Sequence, residues 1–376
     1  MKRILLGSSA LVGAATLASA AQASDGIKLD VGGFFQTVYE GVFDNKSGHH
    51  FGEDRNTDRF EHNAEVWFTG ETTLDNGLTV GAHIELEGEN AGDQIDKSFV
   101  YWSGGFGKVQ VGSQDNAIGG YCVLPPGATS NFSAFSPNAW GSNDPIGSNA
   151  ACIDVLGNSQ SILYTTPNFG GFQLRVGYTP DNNAEDYTQQ GVNNAGTPSN
   201  PEGTAHHSFA TYATYSYAGE GWGVDWGGGG SWQAAFNSGP HGNDGTSAAY
   251  QTGLNFTIGN FGIGGVMEYF DTGGEDNNAW VAGGGVSYNV DAWTVGFQGS
   301  HGHYAGTGPA LTFAPDPGGS RNLNRLIVTG NYDMGPGVSL DAEVGYTWFN
   351  DTGSGISHDQ RDYQGADVAI GSRFRF

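Results

Sequence analysis

Leu78-Thr79-Val80-Gly81-Ala82-His83-Ile84-Glu85-Leu86-Glu87 alternates without a break. Leu78, Val80, Ala82, Ile84 and Leu86 fall on one parity; Thr79, Gly81, His83, Glu85 and Glu87 fall on the other. Successive side chains of an extended chain point to opposite faces, so this stretch offers one apolar and one polar face. The pattern returns in Phe172–Thr179, where Arg175 sits on the polar parity, and in Val338–Trp348, where Asp341 and Glu343 do. Strands of soluble sandwiches are usually about 5–6 residues long. These run nearly twice that, the roughly 9–11 residues a tilted strand needs to cross a bilayer.

Outward from these strands, the punctuation is asymmetric. Leu74-Asp75-Asn76-Gly77, Ser103-Gly104-Gly105, Asn168-Phe169-Gly170-Gly171, Gly259-Asn260, Asn289-Val290-Asp291 and Met334-Gly335-Pro336-Gly337 read as tight turns. Their Asn-Gly, Gly-Gly and Pro-Gly pairs supply the positive φ angles that such turns demand. Between them lie long polar loops, at about 44–58, 113–158, 181–207, 237–247, 272–278, 305–321 and 351–361. Short turns at one end and long loops at the other is the layout of a transmembrane barrel. Counting hairpins predicts about sixteen antiparallel strands from near Leu29 to Phe376, an even number that lets the sheet close and hides every strand edge.

Composition excludes the alternatives. A mean hydropathy of −0.36 rules out a helical membrane bundle. Gly 64 among 376 residues would ruin helices, and the 12% aromatic content argues against disorder. Lys2 and Arg3, the short apolar run Ile4–Leu17, and Ala21-Gln22-Ala23 have the layout of a secretory signal peptide over 1–23, leaving 24–376 as one barrel domain. Asp+Glu 39 against Lys+Arg 14 would repel a phosphate backbone, so nucleic acid is not an expected partner.

Four segments resemble the Gram-negative general-diffusion porins. They are Thr73–Gly81 with Ile84-Glu85-Leu86, Phe99–Gln114, Ser161–Phe172, and the terminal Ser372-Arg373-Phe374-Arg375-Phe376. The resemblance implies a sixteen-stranded homotrimer in the outer membrane, with a third loop (113–158) folded inward to narrow a pore. It also implies that Phe374 and Phe376 on the closing strand are read by the barrel assembly machinery. The loop lacks the Pro-Glu-Phe-Gly-Gly of the enterobacterial branch and looks closer to other proteobacterial branches.

That loop holds the only cysteines, Cys122 and Cys152, which in an exported protein are expected to pair. A pore constriction sorts ions by charge facing charge across a small aperture. The loop offers Asp115, Asp144 and Asp154. The wall parity offers Glu65, His83, Glu85, Arg175 and Glu343, with Arg59 and Arg325 from the rim and Arg373 and Arg375 low. Arginines are few and interleaved with acids, so a cation preference is expected; each charge taken alone is also explained as a solvated lumen residue. His49-His50, His206-His207 and His301-Gly302-His303 read as solvated loop residues rather than a zinc site, which needs three or four convergent ligands. Acids at Asp351 with Asp359, or Glu53 with Asp54 and Asp58, could hold structural Ca2+ beside lipopolysaccharide, though no EF-hand spacing is present. Gly227–Gly230 and Gly283–Gly285 lack the Gly-Lys-Ser/Thr ending of a nucleotide loop and read as close backbone approach, beneath the inserted loop or at a trimer contact.

These observations favour passive diffusion of small hydrophilic solutes and ions, with no catalytic residues and no cofactor beyond the possible Ca2+. A substrate-specific channel is the alternative, and would call for a track of aromatics along the lumen. An outer-membrane enzyme would show a packed interior with a catalytic group on the rim, and no such constellation stands out. An adhesin or structural barrel shares the fold and is separated only by function.

Overall fold

The computed structural model describes residues 26–44, 49–50, 53–54, 56–88, 94–129, 131–135, 151–152, 158–181, 206–234, 246–271, 278–305, 320–351 and 362–376. The expected signal segment 1–23, Asp144, Asp154 and Asp359 lie outside them.

Sixteen strands form one closed antiparallel barrel. In chain order β1 is Lys28–Asp44; a small hairpin, β2 (His49–His50) with β3 (Glu53–Asp54), stands apart in the first loop. The barrel continues through β4 (Asp58–Thr73), β5 (Thr79–Glu87), β6 (Ile95–Gly104), β7 (Gly107–Gln114), β8 (Ser159–Thr165) and β9 (Phe172–Asp181). Then follow β10 (His206–Gly219), β11 (Trp222–Ala234), β12 (Thr246–Ile258), β13 (Phe261–Asp271) and β14 (Asn278–Val290). The last are β15 (Trp293–Ala305), β16 (Ser320–Gly335), β17 (Val338–Asp351) and β18 (Asp362–Arg375).

Each strand pairs with its neighbours in sequence, and β1 closes on β18 from Phe34↔Arg375 to Asp44↔Gly365. The last residue completes the seam: the Phe376 amide donates to the Gly33 carbonyl at 3.2 Å, and Gly33 returns the bond at 3.0 Å. Closure leaves no lipid-facing edge with unsatisfied backbone groups.

The parity read from the sequence sets the two faces. Ile84 and Leu86 on β5, Val176 on β9, and Leu340, Val344 and Tyr346 on β17 are exposed on the outside of the isolated chain. Asp341, Glu343 and Thr347 of β17 are buried on the inside. Two aromatics near strand ends point inward: Trp67 and Tyr101 share parity with Glu65 and Phe99, where Trp67 bonds Glu65 at 2.8 Å and Tyr101 donates to Glu71. Trp222 and Trp293 do face outward.

His301 and His303 lie within β15 rather than in a loop. The wall they stand on is fixed by continuous pairing to β14 and β16.

Candidate functional site

The third loop, 115–158, leaves β7 and folds into the barrel, where its described residues follow the inner wall toward β1. The Val123 carbonyl accepts from Gln251 (3.2 Å), Leu124 from Asn255 (2.7 Å) and Pro125 from Gln298 (2.8 Å). The Ala128 amide donates to Thr329 at 3.1 Å and the Ala134 amide to Gln298 at 3.1 Å. Asn131 reaches Asp341, and Phe132 packs on Val38 and Ala369. The loop therefore touches strands from β12 round to β1.

This contact depends on inward-facing glycines. A Cβ on Gly253 would strike the Val123 backbone, one on Gly285 the Pro126 carbonyl, and one on Gly296 the Ala128 amide. Of the two glycine runs singled out in the sequence, Gly283 and Gly285 lie beneath the loop, under Phe135 and Pro126. Gly227 and Gly229 instead make room for the Tyr212 side chain. Under the loop the wall turns apolar on its inner parity: Ala134, Phe135 and Ala151 pack with Ala279, Val281, Tyr304, Leu323, Ile327 and Phe349.

Cys122 and Cys152 form a disulfide with a Cα–Cα distance of 5.7 Å, joining two arms of the loop 30 residues apart. On one side Tyr121 lies under Arg175, whose guanidinium sits 3.8 Å from the ring centroid. On the other the Cys152 amide donates to Glu268 on β13. The staple is thus anchored to the wall at two points, β9 and β13.

The described members of the expected constriction charges separate into four places. Glu65, His83, Glu85 and Asp115 gather on the β4–β6 wall around Lys97, which sequence reasoning missed. Its ammonium lies 2.9 Å from Glu85, 3.0 Å from Asp96 and 3.4 Å from Asp115, while His83 meets Glu85 at 2.8 Å. Burial raises the Asp115 carboxyl above its ordinary pKa, and Lys97 pulls it back. Glu65, Glu85 and Asp96 also bring ligand atoms within 4.8 Å of one another, but Lys97 already supplies positive charge to two of the three.

Arg59 forms a second group nearby, 2.9 Å from Glu40 and 2.6 Å from Glu61. Arg325 and Glu343 belong to a third and differ from their expected roles. Arg325 is buried in the wall rather than at the rim, bonded to Glu343, to Thr347 at 2.8 Å and to Asp367 at 3.1 Å. Arg175 is buried too, against Tyr121 and Thr214. These three side chains hold wall and loop in place, and offer little surface to passing ions.

Near the short-turn mouth, Arg373 and Arg375 line a cavity of about 690 Å³ with Thr129, Asn331 and Ser339. Phe34 and Trp67, with ring centroids 5.9 Å apart, and Phe99 and Tyr101, 6.4 Å apart, add an aromatic patch on the inner wall. Lys108 lies over both rings of the second pair. Of the acids expected to hold Ca2+, Asp58 accepts from the Tyr39 hydroxyl at 3.0 Å and Asp351 ends β17, while Asp359 lies outside the described residues.

The chain is similar to known proteins along most of its length. It is 29% identical over 232 residues to a monosaccharide porin of Halomonas sp., and equally to a major outer membrane protein of Halomonas elongata. Each match covers 57% of this chain and 59% of the relative. The fold resembles that of an anion-selective porin from Comamonas acidovorans, at 16% identity and a TM-score of 0.57, covering 93% of this chain and 100% of that one. It also resembles a loop-deleted OmpT of Vibrio cholerae, at 14% identity and a TM-score of 0.61, covering 94% and 100%. At such identities the likeness to these structures is one of fold. A sequence model of the Gram-negative porin family matches residues 7–352, and the chain belongs to that family.

Proposed function

We propose that this chain is a passive diffusion channel of the Gram-negative outer membrane, preferring cations and assembled as a homotrimer. The observation that carries the reading is the charge on the inner wall from β1 through β7 and at the root of the third loop. Glu40, Glu61, Glu65, Glu71, Glu85, Asp96 and Asp115 crowd there against Arg59, Lys97 and Lys108, an excess of negative charge beside a water-filled aperture. A field of that sign concentrates cations and retards anions. Planar-bilayer recording in a salt gradient tests it: a reversal potential favouring K+ over Cl− supports the proposal, and chloride preference overturns it.

Strand length supports the trimer. β7 and β8 have 8 and 7 residues. At about 3.3 Å per residue and a tilt near 40° they rise roughly 20 Å, short of an apolar band of about 25 Å. A wall that low is better covered by another copy than by lipid, and a solved Vibrio cholerae OmpT is described as a trimer form. Removal of 1–23, delivery by the barrel assembly machinery through Phe374 and Phe376, and contact with lipopolysaccharide complete the proposal.

A second reading is favoured by the aromatic patch of Phe34, Trp67, Phe99 and Tyr101. Aromatic faces in a lumen suit sugar rings, and one relative is named for monosaccharides. Saturation of solute flux at millimolar monosaccharide would establish it, whereas strictly linear flux would leave general diffusion.

A further inference from the structure

His301 and His303 stand on the outward parity of β15, above Trp293, Val295 and Phe297, which are 55%, 53% and 46% exposed. Their neighbours on β16 are polar as well. His301 is registered with Asn324 and His303 with Asn322. The Nδ1 of His301 lies 2.6 Å from the Asn324 Oδ1, and that of His303 lies 2.9 Å from the Asn322 Oδ1. An amide oxygen only accepts, so Nδ1 carries a proton in both rings, which in the neutral imidazole leaves the lone pair on Nε2. Neither Nε2 has a hydrogen bond among the described residues. Trp280 packs against both imidazoles, with centroids at 4.9 Å and 6.2 Å, and holds them to one side of the strand.

We propose that His301 and His303 form a two-imidazole site for a borderline divalent cation such as Cu2+ or Ni2+ on the outer wall of the barrel. Side chains two apart on a strand share a face about 7 Å apart, within reach of one metal through Nε2. Ligating histidines commonly donate the other ring N–H to an oxygen that fixes tautomer and orientation, the part Asn322 and Asn324 play here. Water completes the coordination. Ca2+ and Mg2+, which take oxygen ligands, are not bound. The ten steps from Trp293 to His303 rise about 25 Å at a tilt near 40°, the height of the apolar band, so the pair faces the outer headgroup region and its water.

Cu2+ titration of the detergent-solubilised protein, read by calorimetry and electron paramagnetic resonance, tests the site. One ion per chain with two-nitrogen coupling is expected. In a His301→Gln, His303→Gln double variant that ion is lost. An Asn322→Leu, Asn324→Leu variant keeps both imidazoles and binds about 10–100-fold more weakly. Heat-modifiable gel migration reports folding of each variant. A signal without two-nitrogen coupling, or equal binding by the folded histidine double variant, overturns the proposal. Should that variant not fold, undiminished affinity in the asparagine variant overturns it instead.

Discussion

Arg325 shows how far a single side chain's role depends on what surrounds it. Its position in the chain suggested a charge at the rim; the barrel instead buries it between Glu343 and Asp367. Removing one member of such a cluster leaves uncompensated charge. Arg325→Met is expected to destabilise the barrel by about 3–5 kcal/mol, seen as a lower unfolding temperature on heat-modifiable gels. Lys97 has the opposite character, since it is within reach of water and neutralises part of an acidic wall. Lys97→Met is expected to leave folding intact and strengthen cation preference, measured as a larger reversal potential in the same salt gradient. Alternation placed Glu85 and His83 on the inner face, but Lys97 was hidden from it. A bulge between Glu85 and Leu86 shifts the register there, and a parity count cannot anticipate an extra residue.

The loop was recognisable by its length and its cysteines, yet its path was not. Hydrogen bonds to Gln251, Asn255, Gln298 and Thr329 join residues more than a hundred positions apart, which local pattern cannot see. A trace was present all the same. Val281, Leu323 and Ile327 break the polar parity of their strands, and those breaks mark the wall that the loop covers. Glycine does the complementary work, and Gly253→Val would force the Val123 backbone off the wall. Such overpacking typically costs about 1–3 kcal/mol, and single-channel conductance should change with it. The disulfide stiffens the same element. Closing about 30 residues restricts the unfolded chain by about 3–4 kcal/mol before strain. Cys122→Ser with Cys152→Ser is expected to broaden the distribution of conductance levels without abolishing the channel.

At the scale of the whole barrel, strand number, order and the asymmetry of turns and loops followed from the period-two pattern read together with its turn punctuation, because lipid on one side and water on the other impose alternation at every strand. Assembly of copies did not, since nothing in alternation distinguishes a lipid-facing residue from one facing a neighbour. The low wall of β7 and β8 is where that distinction falls. Val111 and Ile162 face outward there, 41% and 43% exposed in the isolated chain. Val111→Arg is expected to shift the protein from trimer to monomer on native gels, whereas an unchanged oligomer would place the contact elsewhere.

The route of the third loop also bears on the order of assembly. A segment encoded before the middle of the chain is fastened to β15, β16 and β17, among the last strands to be made. Those hydrogen bonds can form only after β15, β16 and β17 have joined the sheet. The narrowed passage therefore takes its shape only once the C-terminal strands are in place.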